Sequence, residues 1–311
     1  MKKTLSAILA LIMLVSLAVT AFAVPYSTET LPYENSAFFT SGEYTLHYRT
    51  YEPASEVKNQ IMLFHGFAVS TASLEGIAEE YCKNGYRVVT VDMPNFGYSS
   101  RESKVKTLRD REDILFELMT ELGGKWIAGG HSMGGGIAIN VACDHPETVT
   151  GLVLFAPQVN NEMGFPMNVI MRSLPVKLMY ELVIAVALHF PSIVYPMLTT
   201  SFSDSEYAKT YDVSRITEPL KIDRTGSGVA IMASHARTVD YEKFSALNIP
   251  VVIITATEDQ IAIQDVIDKI IASAPEGAVA VNMEKGGHMM MEYSPDLVAE
   301  ATLPVIAKCA K

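Results

Sequence analysis

Lys125-Trp126-Ile127-Ala128-Gly129-Gly130-His131-Ser132-Met133-Gly134-Gly135-Gly136 is the stretch on which the reading of this chain turns. An apolar run enters it, and Ile137 to Cys143 leaves it with a helix-compatible pattern. At its centre Gly130, Ser132 and Gly134 form a Gly-x-Ser-x-Gly pattern. Strand, sharp turn and helix is the setting that a nucleophile elbow requires. The small residues have a steric reason. The turn brings strand and helix so close that a β-carbon at Gly130 or Gly134 would clash. Ser132 would then sit at the tip in a strained conformation, its hydroxyl above the sheet. The same five residues also suit a Gly-rich turn with an incidental serine, so the rest of the chain must decide.

Working outward, Tyr33 to Tyr51 holds two strand-like runs around Ser41-Gly42 and reads as an antiparallel hairpin. Gln60 to Phe64 and Tyr86 to Asp92 are short apolar runs of the kind buried on both faces. Between them Ala72 to Asn84 has helical spacing, with Gly85 as its stop. A helix is expected from Leu108 to Leu122, and a further buried strand from Val149 to Phe155. After a long interruption come a strand at Ile249–Thr255, a helix at Gln264–Ala274 and a strand at Ala278–Met283. A closing helix from Pro295 to Lys308 ends the pattern. Strands and helices that alternate in this way imply an α/β fold, a mostly parallel sheet with helices on both faces.

The interruption, residues 158–240, shows no clear strand. Met167 to Leu174, Val176 to Phe190 and Ile193 to Phe202 are apolar helical candidates, broken by Pro175, Pro191 and Pro196. Ser203 to Thr225 is more polar, and Gly226 to Thr238 suits another helix. An insertion at this strand end sits over the edge where ligands bind, so it reads as a helical cap or lid lining an apolar pocket.

With 311 residues, 49% hydrophobic and 19% charged, the chain can bury a sizeable core. Its net charge of −11, with no basic cluster to oppose it, disfavours nucleic acid and anionic membrane surfaces as electrostatic partners. Lys2 and Lys3, the apolar run Leu5 to Val19 and Ala21-Phe22-Ala23 form an export signal, with cleavage expected after Ala23. That places the product outside the cytoplasm, secreted or periplasmic. The alternative is an uncleaved anchor, since no charge falls between Thr4 and Thr28. The domain plan is therefore a signal peptide (1–23), a core (24–157), a cap (158–240) and the second part of the core (241–311). Cys82, Cys143 and Cys309 are too few for a disulfide framework, and the first two lie in apolar helical patterns that suit core thiols.

Three residues that carry chemistry follow predicted strands: Ser132, an acid at Glu258 or Asp259, and His288. In a parallel sheet those strand ends share one edge, so groups far apart in sequence can meet there. The order serine, acid, histidine is that of the α/β-hydrolases.

The motifs resemble that superfamily, and within it the monoacylglycerol lipase and serine esterase branch. Gly130-His131-Ser132-Met133-Gly134-Gly135 matches its elbow. His65-Gly66-Phe67 matches its oxyanion loop. Asp92 to Ser99 resembles the loop after its fourth strand, with Asn95 where glycine is usual. Ala256-Thr257-Glu258-Asp259 resembles its acid loop, with Ala256 for the usual glycine, and Gly286-Gly287-His288 its histidine loop. The resemblance implies catalytic Ser132, Asp259 and His288, and an oxyanion hole from the backbone N–H groups of Phe67 and Met133. It implies a small-molecule ester substrate with an apolar acyl group. The related chemistries are an aminopeptidase or amidase and a C–C bond hydrolase, and an idle triad would leave a binding protein. Serine at the elbow sets the chain apart from relatives with aspartate there, which attack alkyl carbon.

His65 and His131 are expected to be structural walls of the site, and His47, His145, His189 and His235 surface or satisfied core residues. No cofactor or metal is expected, since no His-x-x-x-His or clustered carboxylates occur. Membrane contact is expected only through an uncleaved N-terminal segment or the apolar cap.

Overall fold

The computed structural model describes residues 23–102, 108–159, 165–234 and 238–310. The leader through Phe22 and residues 235–237, His235 with them, lie outside the described residues; the helix expected from Gly226 to Thr238 runs from Thr225 to Ala233, and Thr238 is not helical. Among the described residues the strands are β1 (Ser36–Ser41), β2 (Tyr44–Tyr51), β3 (Asn59–Phe64), β4 (Tyr86–Val91), β5 (Trp126–His131), β6 (Val149–Phe155), β7 (Val251–Ala256) and β8 (Val279–Met283). They form one sheet in the order β1-β2-β4-β3-β5-β6-β7-β8. The hairpin β1–β2 is antiparallel and joins β4 antiparallel; every later pairing is parallel.

Successive side chains on a strand point to opposite faces, and here both faces are covered. Met62 and Phe64 enter one core with Val91, Ala128, Leu152 and Leu154. Ile61 and Leu63 enter the other with Val88, Ile127 and Val153. Helices Leu108–Leu122 and Met133–Asp144 pack on the first face, and Glu75–Lys83 and Pro295–Ile306 on the second. Burial on both sides is why the central strands read as unbroken apolar runs. The helix expected from Ala72 begins instead as a 3-10 turn, Thr71–Leu74, capped by the Ser70 side chain.

From β3 the chain moves outward to β4, then returns to the other side of β3 to lay down β5. That reversal makes the gap between β3 and β5 a topological switch point, where the strand-end loops diverge and leave a crevice. The loops after β3 and β5 carry His65-Gly66-Phe67 and Ser132.

Between β6 and β7 the described chain is helical: Met167–Met171, Leu174–His189, Tyr195–Phe202, Ser205–Thr210, Ser214–Leu220, Thr225–Ala233 and Tyr241–Ser245. One sequence expectation changes, and one is filled in. Pro175 and Pro196 do not break helices but sit in their first turns, where the missing N–H needs no partner. The polar stretch after Ser203 is also helical, begun by the Asp204 side chain, which accepts from the N–H groups of Glu206 and Tyr207 at 2.9 Å each.

The β5 turn depends on close approach. An added β-carbon on Gly134 would lie 2.2 Å from the Phe64 carbonyl oxygen, and one on Gly130 would lie 2.4 Å from Gly134 backbone atoms. Both obstacles are main chain and cannot swing aside. Gly134→Ala is expected to destabilise the fold by about 1–3 kcal/mol or more, read as a lower denaturant midpoint. A surface substitution such as Lys83→Ala serves as the unaffected control.

Candidate active site

Ser132 has φ 51° and ψ −116°, a region that costs a non-glycine residue about 1–3 kcal/mol. Backbone hydrogen bonds on both sides of the residue hold it there. Its N–H donates to Phe155 O at 2.8 Å, and its carbonyl accepts from Gly135 N at 3.0 Å and Gln158 N at 2.9 Å. The serine is half-buried at the start of helix Met133–Asp144. Met133 is the first helical residue, so its N–H has no carbonyl four residues back within the helix. The loop after β3 runs alongside: a β-carbon built on Gly66 would lie 3.4 Å from Ser132 Cβ.

His65 sets the shape of that loop. Its Nδ1–H donates to Gly66 O at 2.6 Å, and its Nε2 accepts from Met93 N at 2.9 Å. Burial pulls its pKa down, so the ring is neutral, as one donor and one acceptor require. Phe67 packs edge-on against Phe96. Asn95, noted in place of glycine, adopts φ 74°, a conformation that asparagine tolerates better than other side chains. Ala256 simply ends β7.

The structure brings Asp259 and His288 together. Asp259 Oδ2 lies 2.8 Å from His288 Nδ1. Asp259 Oδ1 accepts from Ile261 N at 2.8 Å and Ala262 N at 2.9 Å. Burial raises the Asp259 pKa, but His288 and these two N–H donors outweigh it and hold the carboxyl below its ordinary value. Glu258, the other acid able to fill this role by sequence, is exposed and makes no bond to His288 among the described residues. No hydrogen bond joins Ser132 Oγ to His288 here; such contacts are often loose until substrate binds.

His131 does more than wall the site. Its Nε2–H donates to the His288 carbonyl at 2.9 Å, and the two rings lie 4.6 Å apart, edge to face. Burial and then the nearby His288 push its pKa well down, so it stays neutral. It thereby pins the backbone that carries His288. Of the remaining histidines, His145 stacks on Phe116 and His189 packs against Phe190. Cys82 and Cys143 are half-buried rather than core, Cys309 is buried, and all three are free thiols.

The inserted helices reach both loops. Ser203 Oγ donates to Glu258 O at 2.5 Å, and Tyr293 OH donates to Asp204 Oδ2 at 2.9 Å. Arg101 is buried and donates to Thr225 Oγ1 at 2.9 Å and to Pro219 O at 3.2 Å. Arg215 enters between Glu75, at 2.8 Å, and Glu292, at 3.4 Å, while Tyr211 OH donates to Glu292 Oε1 at 2.8 Å. Although burial works against its charge, Glu292, Tyr211 and Glu75 hold the Arg215 guanidinium above its ordinary pKa. Beside the loop after β3, Ala68, Val69, Ile216, Leu220 and Val229 line a cavity of about 20 Å³, room for one water.

A second serine, histidine and aspartate lie in line elsewhere. Ser36 Oγ is 2.7 Å from His47 Nε2, and His47 Nδ1 is 2.7 Å from Asp92 Oδ2. All three are buried. Asp92 also accepts from Thr71 N at 2.7 Å and Tyr98 N at 2.8 Å. Burial raises its pKa, but His47 and the remaining partners outweigh that and bring it to about 2. With its polar capacity consumed and no access, this chain braces β1, β2 and the β4 loop. His47 is thus a satisfied core histidine. The sequence gives one sign of it, an aspartate closing a buried strand, but not its partners. Among the described residues no group of three or more His, Cys, Asp or Glu converges as a metal site would.

A family model described as "alpha/beta hydrolase fold" matches residues 59–295. The chain is 22% identical over 269 residues to the uncharacterized hydrolase YugF of Bacillus subtilis, covering 84% of this chain and 94% of that one. It is 29% identical over 151 residues to the monoglyceride lipase of Saccharomyces cerevisiae, covering 43% of this chain and only 47% of that protein's length. The enol-lactonase structure from Burkholderia xenovorans LB400 superposes with TM-score 0.69 at 15% identity, covering 88% of this chain and all (100%) of that one, a likeness of fold.

Glu292, four residues after His288, gives the site a pH signature. Burial pushes its carboxyl from 4.5 up to about 7, against Arg215 and Tyr211. A carboxyl raised on folding stabilises the protonated fold. That contribution is full below 4.5, fades as pH climbs, and is gone above about 7. The melting temperature is expected to fall between pH 5 and pH 7.5, and Glu292→Gln is expected to flatten this decline. A decline of equal slope in the variant would assign it to another group.

Proposed function

The chain belongs to the α/β-hydrolase fold family and is a hydrolase; from that premise we propose an exported serine hydrolase that cleaves carboxylic esters through an acyl-enzyme on Ser132. The observation that carries the reading is the 2.8 Å contact between His288 Nδ1 and Asp259, at the sheet edge where Ser132 sits strained on its turn. Asp259 fixes the His288 tautomer with Nδ1–H, leaving Nε2 to accept a proton.

In the reaction, Ser132 Oγ attacks the ester carbonyl carbon while its proton passes to His288 Nε2. The carbonyl becomes an oxyanion, received by the N–H groups of Phe67 and Met133. Each such donor contributes about 3 kcal/mol to the transition state. Collapse expels the alcohol, protonated by His288. Water, deprotonated by the same nitrogen, then attacks the acyl-enzyme and releases the acid. His65 supports the oxyanion side by holding the Gly66 carbonyl turned toward its own ring, so that the next N–H points the other way.

An apolar acyl group suits the aliphatic side chains beside the oxyanion loop. The 20 Å³ there is too small for one, so the inserted helices act as a cap that shifts to admit it. Export follows from the leader, and N-terminal sequencing of the exported protein is expected to begin at Val24.

The chain from Val24, given p-nitrophenyl esters of rising length beside aminoacyl anilides, is expected to favour the esters. Ser132→Ala is expected to lose about ten-thousand-fold in kcat/KM. Faster cleavage of the anilides would make it a peptidase. Ester turnover untouched by Ser132→Ala would overturn the mechanism.

A further inference from the structure

Of the 17 large apolar side chains exposed among the described residues, ten fall between Phe165 and Met197. Phe165, Leu174, Val183 and Phe190 are 85%, 68%, 59% and 58% exposed. Along helix Leu174–His189 the positions Val176, Met179, Val183 and Val186, with Phe190 beyond, recur every three or four residues and so share one side. The opposite side turns inward: Glu181 is buried and accepts from Gly226 N at 3.1 Å and Ser227 N at 2.7 Å. Helices Leu174–His189 and Pro191–Phe202 form an apolar pair bent by 114°, and neither is long and apolar enough to cross a membrane alone. An apolar surface concentrated in this way marks an interaction site.

The charge of this face departs from that of the whole chain, which carries −11 and as a whole disfavours anionic membranes. Between Phe165 and Ser203, however, the charges are Arg172, Lys177 and the buried Glu181. Neither Arg172 nor Lys177 pairs with a carboxylate among the described residues. An apolar stripe flanked by bases on an acidic protein complements acyl chains beneath anionic headgroups. A second copy would instead set base against base.

We propose that the outer face of the inserted helices docks in the plane of an anionic lipid bilayer, with the sheet and its strand-end loops in water behind it. Docking is independent of the ester reading and holds for any substrate of the site.

The test uses the chain from Val24, which retains every strand, with vesicles of phosphatidylcholine alone or mixed with phosphatidylglycerol. The protein is expected to sediment with the mixed vesicles, less so at high salt, and at least about tenfold less in Val183→Glu/Phe190→Glu. Both positions are exposed, so the melting temperature and the hydrolysis of a short soluble ester should match the parent. Parent protein left in the supernatant, or a variant that binds equally well, would overturn the proposal. So would a parent dimer that the two substitutions dissociate, which would give the face to a second copy. Loss of ester hydrolysis in the parent would count against the ester reading alone.

Discussion

The rest of the structure depends on one close approach. Where β5 turns into helix Met133–Asp144, the main chain at Gly134 meets the main chain at Phe64 with no room for a β-carbon. That contact fixes the helix against the end of β3, holds Ser132 at φ 51°, and sets the elbow beside the loop of His65, Gly66 and Phe67. The strain is stable because β6 and the loop after it hold the serine backbone: Phe155 O accepts its N–H and Gln158 N donates to its carbonyl. A strained residue persists only where its surroundings over-determine it.

Around that point the site is assembled from pieces that each hold another. Asp259 orients His288, His131 holds the His288 backbone, and the cap reaches the loops of both through Ser203 and Asp204. The cap is tied to the body by charged side chains that are buried or half-buried, Arg101 and Arg215 among them. The same network carries Glu292, which meets Tyr211 and Arg215 of the inserted helices.

The sheet was readable because its central strands are buried on both faces. Runs such as Val149 to Phe155 have no other use for seven consecutive non-charged residues, and that strand has the boundaries expected. Helix Leu108–Leu122 was equally plain, since its apolar side repeats while the opposite side is charged. The meeting of Asp259 and His288 followed from strand order, which brings parallel strand ends to one edge. What stayed hidden was polar burial. Arg215 carries no sign of its partners in the sequence, and His47 is left there between the surface and a satisfied place in the core, because a polar group shows its partners only once the fold has closed around it. Pro175 misled for a related reason: a proline marks a helix start or a helix break, and only the geometry of its turn distinguishes them.

Ser132 as nucleophile, with Phe67 and Met133 receiving the oxyanion, is open to test in a crystal structure of the chain after reaction with an alkyl phosphonate. Phosphorus is expected on Ser132 Oγ, with one phosphoryl oxygen within about 3 Å of both N–H groups and His288 Nε2 beside the adduct. Phosphorus on another residue, or on Ser132 with that oxygen turned away from Phe67 and Met133, would contradict it.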